Sequence, residues 1–282
     1  MVTFPGDEVW PSLGLGTWRM GESAARRNAE VAAVRGAVEI GYRVIDTAEM
    51  YGEGGAEEVV GRAIAECLRA GTVRREELFI VSKVYPHNAS AAGTVAACER
   101  SLKRLGLDRI DCYLLHWRGS VPLAETVGAF EALRERGRIR HWGASNFDLD
   151  DMEELLGVGG GEHCSSNQVY YSLTTRGPDF ALLPWQAARG IVTMAYSPID
   201  QGELLRNPAL RKIAESKSVT PAQLALAWLS AQAGVMALPK STDLVRLREN
   251  FESASMTLEP DDLAALDKAF PPPRRKTPLT LR

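Results

Sequence analysis

The chain has 282 residues, 45% of them hydrophobic and 24% charged, with a formal net charge of −3. That composition belongs to an ordinary folded protein and excludes collagen, low-complexity and disordered chains. Lys plus Arg (33) nearly balances Asp plus Glu (36), so no strong basic field recruits nucleic acid or an anionic membrane, and the longest apolar runs fall far short of a bilayer span.

The first ten residues, MVTFPGDEVW, lack the basic start and hydrophobic stretch of a secretion signal, so a cytoplasmic location is expected. The first strand is predicted at Leu13–Trp18, followed by a helix with Val31, Val34 and Val38 on one face. Strands at Val44–Asp46 and Leu78–Ser82 come next, then a helix whose apolar face carries Val95, Cys98, Leu102 and Leu105. The strand Ile110–Leu115 precedes a helix with Leu123, Val127, Phe130 and Leu133 aligned. Ile139–Gly143 and Cys164–Gln168 are the fifth and sixth strands, with Gly157–Gly161 as a helix–strand loop between them. Ile191–Tyr196 is the seventh. Thr220–Pro221 then supplies a helix N-cap and first-turn proline ahead of an apolar helix through Trp228, and Val235–Leu238 is the eighth strand.

Most of these strands are near-continuous apolar runs, as parallel strands covered on both faces must be. Eight strand–helix units in about 250 residues is the arithmetic of an α/β protein of the (β/α)8 TIM-barrel type. No linker divides the chain, so one barrel domain is expected over residues 1–282, with a short tail at 271–282. A doubly wound sheet would carry GxGxxG after its first strand, and neither Gly14-Leu-Gly16 nor Gly52-Glu-Gly54 continues that way. Cys67, Cys98, Cys112 and Cys164 form no CxxC pair and read as reduced, structural thiols. His87, His141 and His163 are scattered without metal-ligand spacing, and no metal is expected.

Chemistry in such a barrel gathers at the carboxyl ends of the strands. Those positions hold Trp18, Asp46 with Tyr51 just beyond, Lys83, His116-Trp117, Ser145-Asn146, Asn167-Gln168, Tyr196-Ser197 and Lys240-Ser241. The ordered set D46-TAEM-Y51-GEGGAEEVVGRAI, FIVS-K83, DCYLL-H116-W117, GAS145-N146-F, N167-Q168-VYY, AYSP and LP-K240-ST…R246-LRE-N250 resembles the aldo-keto reductase superfamily, in its bacterial form. The resemblance runs from Gly14 to Asn250 and beyond.

The resemblance implies that carbonyl compounds are reduced to alcohols, with Tyr51, Lys83, Asp46 and His116 as the catalytic set. Carbonyl reduction needs a hydride on carbon and a proton on oxygen. A phenol can give the proton, but its ordinary pKa of about 10 makes it sluggish near neutrality. A lysine ammonium beside Tyr51 is expected to lower that value, with Asp46 fixing the lysine and His116 orienting the carbonyl. For Asp46 and Lys83 alone, a buried ion pair that merely closes the barrel is the alternative.

No side chain donates hydride, so a cofactor must. The resemblance implies a nicotinamide dinucleotide laid across the barrel mouth. Gly16, Thr17 and Asp46 match positions near it, Ser145, Asn146 and Gln168 the carboxamide partners, and Tyr196 the ring stacked on the nicotinamide. Ser197, Pro198, Ile199 and Gln201 match the loop over the pyrophosphate. Lys240, Ser241, Thr242 and Arg246 match the adenosine-phosphate groups, and Glu249 and Asn250 the adenine contacts. Two cations, Lys240 and Arg246, suit a 2′-phosphate, so NADPH is expected over NADH, which remains a weaker alternative. Asp243 either repels that phosphate or caps the helix that follows it.

Trp18, Tyr85, His116 and Trp117 match the substrate pocket, and Met50 is a further wall candidate. Aromatic walls and a brief tail favour small, uncharged aldehydes, methylglyoxal-like compounds among them. A monomer with no nucleic-acid or membrane partner is expected. Two other functions compete: a dinucleotide-binding regulatory barrel without turnover, and an aldolase using Lys83 as a Schiff base, which an adjacent carboxylate disfavours.

Overall fold

The apolar runs pair into one parallel sheet that closes on itself, in a computed structural model describing residues 1–281. The barrel strands are β3 (Leu15–Gly16), β4 (Val44–Asp46), β5 (Phe79–Val84), β6 (Ile110–Leu115), β7 (Ile139–Ser145), β8 (Cys164–Tyr170), β9 (Val192–Tyr196) and β10 (Val235–Leu238). They neighbour one another in chain order, every pair parallel. Closure falls to the segment before β3. Leu13 bridges Ala237, and the amides of Gly14 and Gly16 donate to Ala237 O and Pro239 O, both at 2.9 Å.

That double duty makes β3 shorter than the predicted Leu13–Trp18, because Leu13 and Gly14 face β10 while Leu15 and Gly16 pair with β4. At the other end of the range, β7 and β8 run two residues past their predicted ends. Their polar tips continue the ladder, with Ser145 opposite Gln168 and Tyr170 opposite Tyr196. Parallel pairing satisfies the backbone there whatever the side chains are.

Outside the barrel lie α1 (Ala24–Ile40), α2 (Gly55–Arg69), α3 (Ala91–Leu105), α4 (Leu123–Glu135), α5 (Leu149–Gly157), α6 (Leu182–Ala187), α7 (Pro208–Ser216), α8 (Pro221–Ser230), α9 (Leu244–Ser253) and α10 (Pro260–Ala269). The predicted apolar faces turn inward: all their named residues are buried except Val95, which is half-buried. Thr220 caps α8 as expected, its Oγ1 accepting from Gln223 N at 3.1 Å. Two helices exceed one per strand, since α7 precedes α8 after β9 and α10 follows α9; the two pack together.

An N-terminal hairpin was absent from the sequence expectation. β1 (Val2–Phe4) and β2 (Glu8–Trp10) pair antiparallel. Val2 and Phe4 are buried with Val44, Phe79, Val81 and Val192 around the starts of the barrel strands, and Phe4 lies 4.7 Å from Phe79 between ring centroids. This plug seals the amino end of the barrel and leaves the carboxyl end open to a ligand. The tail runs back along the side: Lys276 Nζ donates to Asp150 at 2.6 Å, and Thr277 and Leu279 rest against Gly177–Leu182. Arg282 lies outside the described residues. All four cysteines are buried free thiols. Among the described residues, no helix is long and apolar enough to cross a membrane, and no cluster has metal-ligand character.

Candidate active site

The turn after β4 brings Tyr51 to the rim. Gly52, Glu53 and Gly54 follow it with φ of 58°, 52° and 90°, a left-handed stretch that glycine enters without penalty. From the next strand Lys83 points into the barrel and is fully buried. Its Nζ donates to both carboxylate oxygens of Asp46, at 2.8 and 2.9 Å, and to the Thr47 carbonyl at 2.8 Å. The Tyr51 hydroxyl oxygen stands 3.3 Å from the same nitrogen. His116 completes the group from the end of β6, its ring edge-on to Tyr51 at 5.7 Å. The four predicted catalytic residues are therefore together.

Electrostatics at this corner depart from expectation in one respect. Burial pushes the Tyr51 phenol well above its ordinary range, and the Asp46 carboxylate adds to that shift. The anticipated lowering by Lys83 does not dominate, because the ammonium is already paired with Asp46 and presents the phenol with a nearly neutral couple. Burial also pulls Lys83 down, opposed by Asp46. His116 is held well below the usual imidazole range by burial and then by Lys83, so its ring is neutral at pH 7. Its Nδ1 is buried without a hydrogen-bond partner among the described residues.

A cavity of about 710 Å³ opens over this group and continues to α9. Of the predicted dinucleotide contacts, Gly16, Asp46, Ser145, Asn146, Gln168, Tyr196, Ser197, Pro198, Ile199, Gln201, Lys240, Ser241, Arg246, Glu249 and Asn250 line it. Asn146 is a junction. It sits in the left-handed region (φ 61°), its Nδ2 donates to His116 O at 3.1 Å and Ser145 Oγ at 3.2 Å, and its Oδ1 accepts from the Tyr196 hydroxyl at 2.8 Å. Gln168 Nε2 donates to Asp46 at 2.7 Å, tying the Ser145–Gln168 side of the cavity to the ion pair.

At the far end, partial burial of its ammonium, with Arg26 and Arg19 nearby, pulls Lys240 below the usual range, while Glu30 opposes. Arg26 is paired with Glu22 and Glu30, which leaves Lys240 and Arg246 as the cations at this end of the cavity that suit an anion. Asp243 resolves toward capping. Its carboxylate accepts from the amides of Val245 at 2.9 Å and Arg246 at 3.1 Å, at the start of α9, so its charge is spent on the helix terminus.

Five predicted residues fall outside the lining: Thr17, Thr242, Tyr85, Trp117 and Lys83. Thr17 is fully buried and gives its hydroxyl to the Asp46 carbonyl at 2.9 Å, fastening β3 to β4. Thr242 is exposed, where the chain turns as Asp243 N donates to Ser241 Oγ. Tyr85 has its hydroxyl drawn outward to Glu53 at 3.2 Å, and Trp117, 36% exposed, stands edge-on to it at 5.9 Å. These two rings form the outer rim. Trp18, Met50 and His116 remain as walls near Tyr51. Lys83 reaches no part of the lining and its protons are engaged, so an imine with a substrate carbonyl has no access to it.

Sequence reading missed Arg19, Leu205, Arg206 and Thr220–Ala222, all lining the cavity. Arg19 carried a signal, as it follows a strand-end Trp18 and now lies 4.3 Å over that ring. Arg206 and Thr220 sit far from any predicted strand end, and only the excursion through α7 brings them in.

A family model described as "Aldo/keto reductase family" matches residues 12–270. "Methylglyoxal reductase YeaE" of Escherichia coli (strain K12) is 46% identical over 286 residues, spanning 100% of this chain and 98% of its own length. "Glyoxal reductase" of Bacillus subtilis (strain 168) is 37% identical over 257 residues, covering 91% of this chain and 88% of that protein. Among solved structures, an aldo-keto reductase from Klebsiella pneumoniae in complex with NADPH superposes with a TM-score of 0.94 at 45% identity, covering 100% of this chain and 98% of that one.

Proposed function

This chain belongs to the aldo/keto reductase family and is an NADPH-dependent carbonyl-reducing oxidoreductase, and from that premise we propose that it reduces small aldehydes, methylglyoxal-like dicarbonyls among them, with Tyr51 as proton donor. The observation that carries the reading is the 3.3 Å contact of Lys83 Nζ with the Tyr51 hydroxyl, at the floor of a cavity that runs on to Lys240 and Arg246.

A nicotinamide dinucleotide fits the donor set. Ser145, Asn146 and Gln168 offer amide and hydroxyl groups at one end, Tyr196 a ring face beside them, and Lys240 with Arg246 two cations at the other. When bound, NADPH supplies the hydride. The protein supplies the proton and the geometry. Burial keeps Tyr51 protonated through neutrality, so the acid form is fully populated. As the phenol gives its proton to the carbonyl oxygen, the Lys83 ammonium meets the charge growing on the tyrosine oxygen, and Asp46 keeps Lys83 in place. Neutral His116 donates a hydrogen bond to the same carbonyl oxygen, orienting it without competing as an acid.

Trp18 and Met50 give an apolar wall, and no tail residue among those described enters the cavity, which supports small substrates through an open mouth. Apart from adjacent Leu244 and Val245 the large exposed apolar side chains are spread along the chain, which supports a monomer, and four buried, unpaired thiols support a reducing compartment such as the cytoplasm. Loss of NADPH absorbance with a panel from methylglyoxal and p-nitrobenzaldehyde to ketosteroids tests the substrate class. A bulky ketosteroid with the highest kcat/KM overturns it.

A further inference from the structure

The Glu57–Arg104 ion pair lies outside the cavity yet grips the turn that carries Tyr51, and we propose that Glu57 is a positioning residue for proton transfer, holding the Tyr51 hydroxyl on Lys83 through Arg104 and Ser82. The inference rests on Tyr51 being the proton donor, as argued above.

The turn takes its seat from its surroundings. Gly52, Glu53 and Gly54 run through the left-handed region, at φ of 58°, 52° and 90°, which a side-chain-bearing residue such as Glu53 disfavours. The backbone amides of Tyr51 and Glu53 donate to Ala48 and Met50, and that of Gly55 to Gly52 and Tyr51. These bonds set the shape of the turn, and packing sets its place. Against Gly52 and Gly55 lies the backbone of Met20 and Gly21: a Cβ added at Gly52 would stand 2.9 Å from the Met20 carbonyl oxygen, and one at Gly55 2.5 Å from that of Gly21. Against Gly54 lies the Arg104 side chain, whose Nε would stand 2.5 Å from a Cβ there.

Arg104 is itself held by Glu57. Its Nε donates to Glu57 Oε2 at 2.6 Å, and its Nη2 donates to Ser101 Oγ at 3.3 Å. Glu57, in the first turn of α2, is fully buried, and its Oε1 accepts from Ser82 Oγ at 2.5 Å. Ser82 immediately precedes Lys83 on β5. Successive side chains of a strand point to opposite faces, so Ser82 meets α2 outside the barrel while Lys83 points inside. One carboxylate thus ties together the turn that carries Tyr51, the end of α3 and the strand that carries Lys83. The contact it serves, between Lys83 Nζ and the Tyr51 hydroxyl, spans 3.3 Å, and a small shift of either element opens it. A first-turn acid can serve the helix terminus from the surface, as Glu58 does while pairing with Arg27; Glu57 turns inward instead. Burial pulls Lys83 down, and after Asp46 the Glu57 carboxylate is the next group that opposes this. Neither Glu57 nor Arg104 lines the cavity, so loosening the pair should slow proton transfer and spare dinucleotide binding.

The test is single-turnover oxidation of bound NADPH by saturating p-nitrobenzaldehyde, in light and heavy water, beside a fluorescence titration of NADPH. The chains compared are wild type, Tyr51→Phe, Glu57→Gln, Arg104→Met and the Glu57→Gln, Arg104→Met double variant. Each single change of the pair is expected to slow the turnover about tenfold to a hundredfold, the scale of a misplaced catalytic group. The solvent isotope effect should rise, because proton transfer becomes harder, while the Kd for NADPH stays at the wild-type value. The double variant should be no slower than either single one, because the two residues act as a unit. Arg104→Met strands a buried carboxylate. Should it fail to fold, the double variant and Ser82→Ala, which strand no charge, decide the matter, the latter with a fall of about threefold for one lost hydrogen bond. A rate unchanged in the folded variants, or a fall matched by weaker NADPH binding with the isotope effect unmoved, overturns the positioning role and leaves Tyr51 as donor. Undiminished reduction by Tyr51→Phe overturns the donor assignment and this inference with it.

Discussion

Replacing Lys83 with methionine separates what the buried ion pair does for the fold from what it does for turnover. The ammonium has zero exposure and contacts two Asp46 oxygens, the Thr47 carbonyl and the Tyr51 hydroxyl. Lys83→Met fills the same volume but leaves Asp46 as a buried carboxylate whose remaining side-chain partner is Gln168 Nε2 at 2.7 Å. Breaking one side of a buried pair costs about 3–5 kcal/mol. Adding Asp46→Asn removes the stranded charge, and replacement of a whole pair is often close to neutral. The double variant should therefore regain most of that loss. Urea unfolding followed by tryptophan fluorescence measures the cycle, with a coupling of about 3 kcal/mol expected. Turnover should not follow stability. Without the ammonium nothing meets the charge developing on Tyr51, so kcat for aldehyde reduction stays down by about two to four orders of magnitude in both variants. A single variant as stable as wild type refutes the charged buried pair. Recovery of kcat in the double variant refutes the catalytic role of Lys83.

Three other outcomes are expected. Tyr51→Phe should lose about two to four orders of magnitude in kcat while still quenching NADPH fluorescence, since the phenol's ring remains and its proton does not; robust reduction by that variant removes Tyr51 from the acid role. His116 is held below the ordinary imidazole range, so unfolded protein binds a proton that native protein refuses. No penalty arises above the ordinary imidazole range, and stability falls as pH drops below about 6.5, where the unfolded chain takes up the proton and the native chain does not. His116→Asn should flatten the pH dependence of the urea midpoint, and an unchanged slope counts against a neutral His116. Arg246→Ala should weaken NADPH roughly tenfold or more and leave NADH nearly unaffected, whereas Asp243→Ala should cost about 1 kcal/mol of stability through the lost α9 cap without tightening NADPH. Fluorescence titration with both dinucleotides checks the pair.

The sequence by itself determined the barrel, because eight apolar runs covered on both faces at regular spacing have few other ways to be buried. It also determined which side chains stand at the strand ends, since a parallel strand's last residues open onto one face whatever the rest does. The N-terminal plug escaped notice because its strands, Val2–Phe4 and Glu8–Trp10, are three residues each and derive their order from Phe79 and its neighbours, not from their own pattern. Direction was likewise invisible. Tyr85 and Trp117 are aromatic at strand ends, yet contacts with Glu53 and with each other carry them to the rim, while Thr17 turns its hydroxyl to Asp46. The phenol's acidity depended on tertiary structure as well. Proximity of Lys83 to Tyr51 follows from the motif, but the sign of the shift follows from burial and from the ammonium being shared with Asp46. Sequence fixes which groups meet; desolvation and the competition among their partners, which exist only once the chain has folded, fix what each group then does.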